Sequence, residues 1–213
     1  VDRAGDVRER ERGLDRVLTF VDAVVAIAIT LLVLPLAELA PEVGDGSVTD
    51  LLREHDDELL AFLLSFVVIA QLWFAQHHVV DSLVVQDPLV VRLLMLWLLT
   101  IVLLPFPTSL VAEAPEQAAT KVLYIGTMTV SALVLASVAW RMRRVPAIRD
   151  SDPGPDPLMS GATVVAFVLA LVITLAVPAT TYWPLLLLFL ADPAARALRR
   201  ASGSGSPPAR VGR

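Results

Sequence analysis

Few side chains in the apolar stretches of this 213-residue chain can do chemistry, so those few are informative. Asp22 sits inside the first long apolar run, residues 16–38, RVLTFVDAVVAIAITLLVLPLAE, together with Thr30 and Glu38. His77 and His78 end the second run, ELLAFLLSFVVIAQLWFAQHHVV, and lie at the same membrane depth as Asp22. An intramembrane carboxylate is costly unless it faces protein or water. A carboxylate beside imidazoles allows three readings. It can be a structural hydrogen-bond network, a proton relay or pH sensor because histidine titrates near neutrality, or a metal site. Adjacent histidines do not share a helical face and no third ligand stands near, so no metal site is expected here. No nucleophile–base or metal constellation converges anywhere, and the chain does not read as an enzyme.

The first run has a face. With Ile27 as reference and about 100° per residue, Phe20, Ala23, Val24, Thr30, Leu31, Leu34 and Glu38 fall within roughly 60° of it. Asp22 points to roughly the opposite side, toward neighbouring helices, with spans two and three as its expected partners. Arg16 is about 240° from Asp22, so the two are not an intrahelical pair. A threonine in a membrane helix usually bonds a carbonyl one turn back. If several copies surround an axis, the Ile27 face becomes apolar rings with one hydroxyl ring among them. Apolar rings gate by dewetting, and hydroxyl oxygens replace part of an ion's hydration shell. Without an axis, the same face is ordinary helix packing.

The elements that hold these residues are membrane helices. The chain is 56% hydrophobic, with mean hydropathy +0.69. That excess over a soluble domain is concentrated in long runs, which marks an all-α integral membrane protein. Six spans are expected at about 15–38, 57–80, 89–112, 117–141, 158–177 and 183–199. Residues 1–14 form a charged N-terminus, flexible or surface-helical, and 200–213 a flexible tail. Pro35 cannot donate to the Leu31 carbonyl and should kink or end span one. Pro105 and Pro107 should bend or terminate span three. A loop rich in Asp, Pro and Gly follows span four, and the Thr180–Pro184 patch turns at an interface.

An even number of spans puts both termini on one side. Fifteen of the 17 basic residues fall on that side; only Arg53 and Lys121 lie opposite. The bias places both ends in the cytoplasm, and the plasma (inner) membrane is the expected location. No span carries regularly spaced arginines, which argues against voltage gating. The basic residues have no aromatic interleaving, so nucleic acid is not a partner; lipids are. The absence of cysteine excludes disulfides and thiolate metal sites.

Three patterns carry a resemblance. Arg16-x-x-x-Phe20-Val21-Asp22, followed by Ala26-Ile27-Ala28-Ile29-Thr30-Leu31, resembles the first-helix signature of the transmembrane protein 175 family, the endosomal and lysosomal potassium channels and their prokaryotic relatives. Trp73-x-x-x-His77-His78 and Leu104-Pro105-Phe106-Pro107-Thr108 resemble that family's second- and third-helix patterns. The resemblance covers the first half of the chain. The family has Ser where Val21 stands, and this chain has no Asn, so the polar network around Asp22 is thinner here. It implies a homotetrameric potassium-permeable channel, one six-span repeat per subunit, with the first helix lining the pore. It implies no cofactor beyond potassium as permeant ion. Carried over, Ile27, Leu31 and Leu34 would be apolar constrictions and Thr30 the layer tied to potassium preference. Arg16, Phe20 and Asp22, with His77 or His78 and Trp73, would form a structural cluster. Glu38, on the same face, is expected to raise cation concentration at the pore mouth. The rival expectation is a proton-coupled secondary transporter that uses Asp22 with His77 or His78.

Overall fold

The computed structural model describes residues 3–44, 46–150 and 157–176, with side chains described from Arg12 in the first stretch and from Gly161 in the last. Every long element is a helix. Helix α1 spans Arg3–Leu31, α2 Leu34–Glu38, α3 Val48–Glu54, α4 Asp56–Val80, α5 Pro88–Leu103, α6 Pro105–Glu113, α7 Ala118–Arg144 and α8 Pro157–Ala176. Single turns of 3-10 helix cover Ala40–Val43 and Pro146–Ile148. Among the described residues, four stretches are long and apolar enough to cross a membrane: Arg12–Val43, Asp56–Val80, Pro88–Glu113 and Ala118–Arg144; Gly161–Ala176 is a shorter apolar helix. The expected sixth span, 183–199, lies outside the described residues, as does the tail.

Two proline breaks divide spans that hydropathy reads as continuous. Pro35 has no N–H for the Leu31 carbonyl, and the chain responds by tightening. Leu32 N–H bonds the Ile29 carbonyl and Val33 N–H the Thr30 carbonyl, both at 3.3 Å, before α2 restarts. Pro105 does the same at Leu104, between α5 and α6. At the other end α1 begins at Arg3, so the charged N-terminal residues continue span one as helix.

The core is built on α7, the most buried of the four long stretches. It packs against α5, α6, α4 and α8, while α1 lies along α5 and touches α4 and α6. Trp97, Tyr124 and Phe167 are its largest fully buried apolar side chains, with Leu94, Ile101 and Met128 among those that follow. Helix ends follow the dipole. Asp56, Asp57 and Glu58 open α4, and Arg141, Arg143 and Arg144 close α7. Beyond the helices, Leu83 bridges Arg149, and Val84 N–H bonds the Ile148 carbonyl at 3.0 Å, joining the loop after α4 to the loop after α7.

Candidate functional site

The first helix shows its two sides clearly. Val21, Val25, Ala28 and Leu32 are buried against the rest of the chain. Phe20, Ala23, Ile27, Thr30, Leu31, Leu34 and Glu38 are exposed, and Val24 is half-buried. The stripe survives the Pro35 break, since Leu34 and Glu38 on α2 remain exposed. It belongs to the least buried of the four long stretches. Thr30 donates its hydroxyl hydrogen to the Ile27 carbonyl at 2.7 Å. Its oxygen lone pairs remain for whatever the stripe faces.

Asp22 reaches span two. Its Oδ1 accepts a hydrogen bond from the Trp73 indole Nε1 at 3.1 Å, and His77 Nε2 lies 3.7 Å from the same oxygen. His77 Nδ1 donates to the Trp73 carbonyl at 3.1 Å, and the two rings lie 4.2 Å apart between centroids. A carbonyl can only accept, so His77 Nδ1 carries a hydrogen, while Nε2 at 3.7 Å lies beyond hydrogen-bond distance of the carboxylate. The indole is therefore the direct partner of Asp22. Of the six residues expected to cluster, the fold joins Asp22, Trp73 and His77. His78 is exposed and donates to its own helix, at the Phe74 carbonyl, 2.7 Å away. Arg16 and Phe20 are exposed on the Ile27 stripe, away from Asp22. The physical reason is the helical step: positions 16 and 20 share the angular sector of 27, while 22 does not. Asp22 and His77 also border an open cleft between α1 and α4, of about 520 Å³.

Three polar contacts escape a reading of single spans. Ser65 on α4, Thr108 on α6 and Tyr124 on α7 form a buried chain. Thr108 Oγ1 lies 2.9 Å from Ser65 Oγ, which lies 2.7 Å from the Tyr124 hydroxyl. Asp87 caps α5 through the N–H groups of Leu89 and Val90, both at 3.0 Å, and receives Arg141 Nη2 from α7 at 2.9 Å. The Arg141 guanidinium, helped by those N–H groups, holds the Asp87 carboxyl below its usual value against the cost of burial. His55 stands between two carboxylates, with Nδ1 3.1 Å from Glu58 and Nε2 3.2 Å from Glu42. Only the last carried a signal in the sequence, an acid three residues after a histidine. The others depend on which helices meet.

Comparison with known proteins follows the same segment. The model of the family described as endosomal/lysosomal potassium channel TMEM175 matches residues 16–105, which include the exposed stripe and the Asp22 cluster. A potassium channel of Streptomyces collinus is 31% identical over 158 residues, 72% of this chain and 75% of the relative. The crystal structure of a lysosomal potassium-selective channel TMEM175 homolog from Chamaesiphon minutus superposes with a TM-score of 0.60 at 24% identity, covering 90% of this chain and 98% of that one. The last likeness is one of fold.

Proposed function

This chain belongs to the endosomal/lysosomal potassium channel TMEM175 family, a family of ion channels and not of enzymes, and on that premise we propose that it is itself a potassium-permeable channel. In this reading four copies assemble around an axis with the α1–α2 stripe facing the pore. The observation that carries it is the stripe itself. The least buried long stretch presents apolar side chains in one line, in the segment that the family model matches.

Around such an axis Ile27, Leu31 and Leu34 form apolar rings narrow enough to dewet. Thr30 adds a ring of oxygens whose only hydrogens are committed to Ile27 carbonyls, so the ring offers lone pairs to a cation. Glu38 places carboxylates at the mouth and concentrates cations there. Asp22, Trp73 and His77 serve the pore indirectly, by fixing the rotation of α1 against α4. Arg16 and Phe20 lie on the stripe and belong to the inner entrance, while His78 has no contact with Asp22. Both termini lie in the cytoplasm and the membrane is the plasma membrane. The proton-coupled carrier draws no support from the relatives, which are named as potassium channels.

Purified protein reconstituted in planar bilayers under a potassium/sodium gradient tests the reading. A reversal potential displaced toward the potassium equilibrium value, with single-channel steps, is expected. Slow, saturable flux without steps overturns it.

A further inference from the structure

We propose that His55 is a pH-controlled clasp at the mouth that carries Glu38: its imidazolium ties the segment after the Pro35 break to α4, and its deprotonation releases that segment and changes conduction. The proposal rests on the channel reading and adds a regulatory contact to it.

The geometry demands a charged ring. Both imidazole nitrogens face carboxylate oxygens, Glu58 Oε1 at 3.1 Å and Glu42 Oε2 at 3.2 Å. Ionised carboxylates accept and do not donate, and a neutral imidazole carries one N–H. Only the imidazolium satisfies both contacts. The two carboxylates stand on different elements. Glu42 lies in the 3-10 turn Ala40–Val43, which follows α2 directly, and Glu58 lies in the first turn of α4. The bridge therefore spans the gap between the outer continuation of the pore-facing stripe and the start of span two.

The segment is built to move once released. It begins at the helix interruption of Leu32–Val33 and ends at Gly44, whose φ of 47° places it in the left-handed region with open space around its α-carbon. Among the described residues of α2 and the 3-10 turn, none is buried. Pro35, Leu36, Leu39 and Val43 are only half-buried, so apolar cover holds the segment weakly and the clasp adds to it.

The charged groups on the surrounding elements are Glu38 on α2, Glu42 on the 3-10 turn, Asp50, Arg53 and Glu54 on α3, and Asp56, Asp57 and Glu58 on α4. Of these, Glu58 and Glu42 act on the ring. The hydrogen bond to Glu58 is the largest influence, and the attraction of both carboxylates adds to it against desolvation, so the His55 pKa lies above its ordinary 6.5. A raised folded-state value fixes the sign. The clasp is fully formed below the ordinary histidine range and is lost as pH rises through the raised value.

The chain contains no cysteine, which makes a single spin label unambiguous. An Ala40→Cys label in reconstituted full-length protein should be immobile at about pH 5.5 and gain mobility toward about pH 9, while current changes over the same range. His55→Gln should remove most of both pH responses. Glu42→Gln should move both midpoints to lower pH. A His55→Gln protein whose label and current titrate like the wild type overturns the clasp. A label that titrates with His55 while the current's pH profile ignores it overturns the link to conduction. Wild-type protein that carries no current at any pH overturns the channel reading instead, and the label then decides the clasp alone.

Discussion

At Asp22 a single carboxylate oxygen faces both an indole and an imidazole of span two. Trp73 supplies the hydrogen, so Trp73→Phe should lower the stability of the assembly by about 1.5–3 kcal/mol, the range for a hydrogen bond to a charged acceptor. Thermal unfolding in detergent measures this, and His77→Gln should cost less. The buried chain through Ser65 offers a contrast. Tyr124 is fully buried, and Tyr124→Phe leaves Ser65 and Thr108 to each other, a loss of about 1 kcal/mol by the same assay. The sequence marked Asp22 as inward-facing because helical geometry alone fixes the angle. It did not separate His77 from His78, since both lie at the right depth and only the packing of α4 chooses between them. Ser65 and Tyr124 were invisible for a similar reason: each is a polar group inside a span, and its partner is set by tertiary contact.

The elements were more legible than their joints. A bilayer demands about 20 apolar residues per helical span, and that demand is written openly in composition. Proline positions announced both breaks, while their local form, a tightened turn and an immediate restart, depends on the carbonyls left free. Pro35→Ala restores the missing N–H, so α1 and α2 should fuse. Amide exchange over residues 31–37 should slow by about fivefold or more, as expected for one added helical hydrogen bond of about 1 kcal/mol or more. Single-channel conductance should change with it, because Leu34 and Glu38 would rotate relative to Ile27. At the opposite face, Asp87 and Arg141 pin α7 to the start of α5. The lowered carboxyl pKa means this contribution is present above the ordinary carboxylate value of 3.8 and is lost as pH falls through the lower folded value. Wild-type protein should therefore hold its melting temperature through mildly acidic buffers. Asp87→Asn should melt lower at neutral pH and converge with wild type only in strong acid.

For the whole molecule, length, span pattern and the distribution of arginines read as a multi-span helical membrane protein, and the described helices and the family match agree with that reading. Assembly was not legible from physics alone, because an apolar stripe on a membrane helix looks the same facing lipid, a partner or a pore. The exposed apolar side chains on other helices, Phe66, Leu99, Leu133 and Val168 among them, make that ambiguity concrete. What distinguishes the α1 stripe is its combination of a lone-pair-presenting Thr30 and a terminal Glu38 in one line with Ile27, Leu31 and Leu34. The cysteine-free sequence permits a direct decision between stripes. Single cysteines at Leu31, Leu34, Phe66 and Leu99 would be exposed to a charged, water-borne thiol reagent while potassium current is recorded. The account predicts block at Leu31 and Leu34, slowed by potassium, and no effect at Phe66 or Leu99. Block at Phe66 or Leu99, with the α1 positions silent, would contradict it.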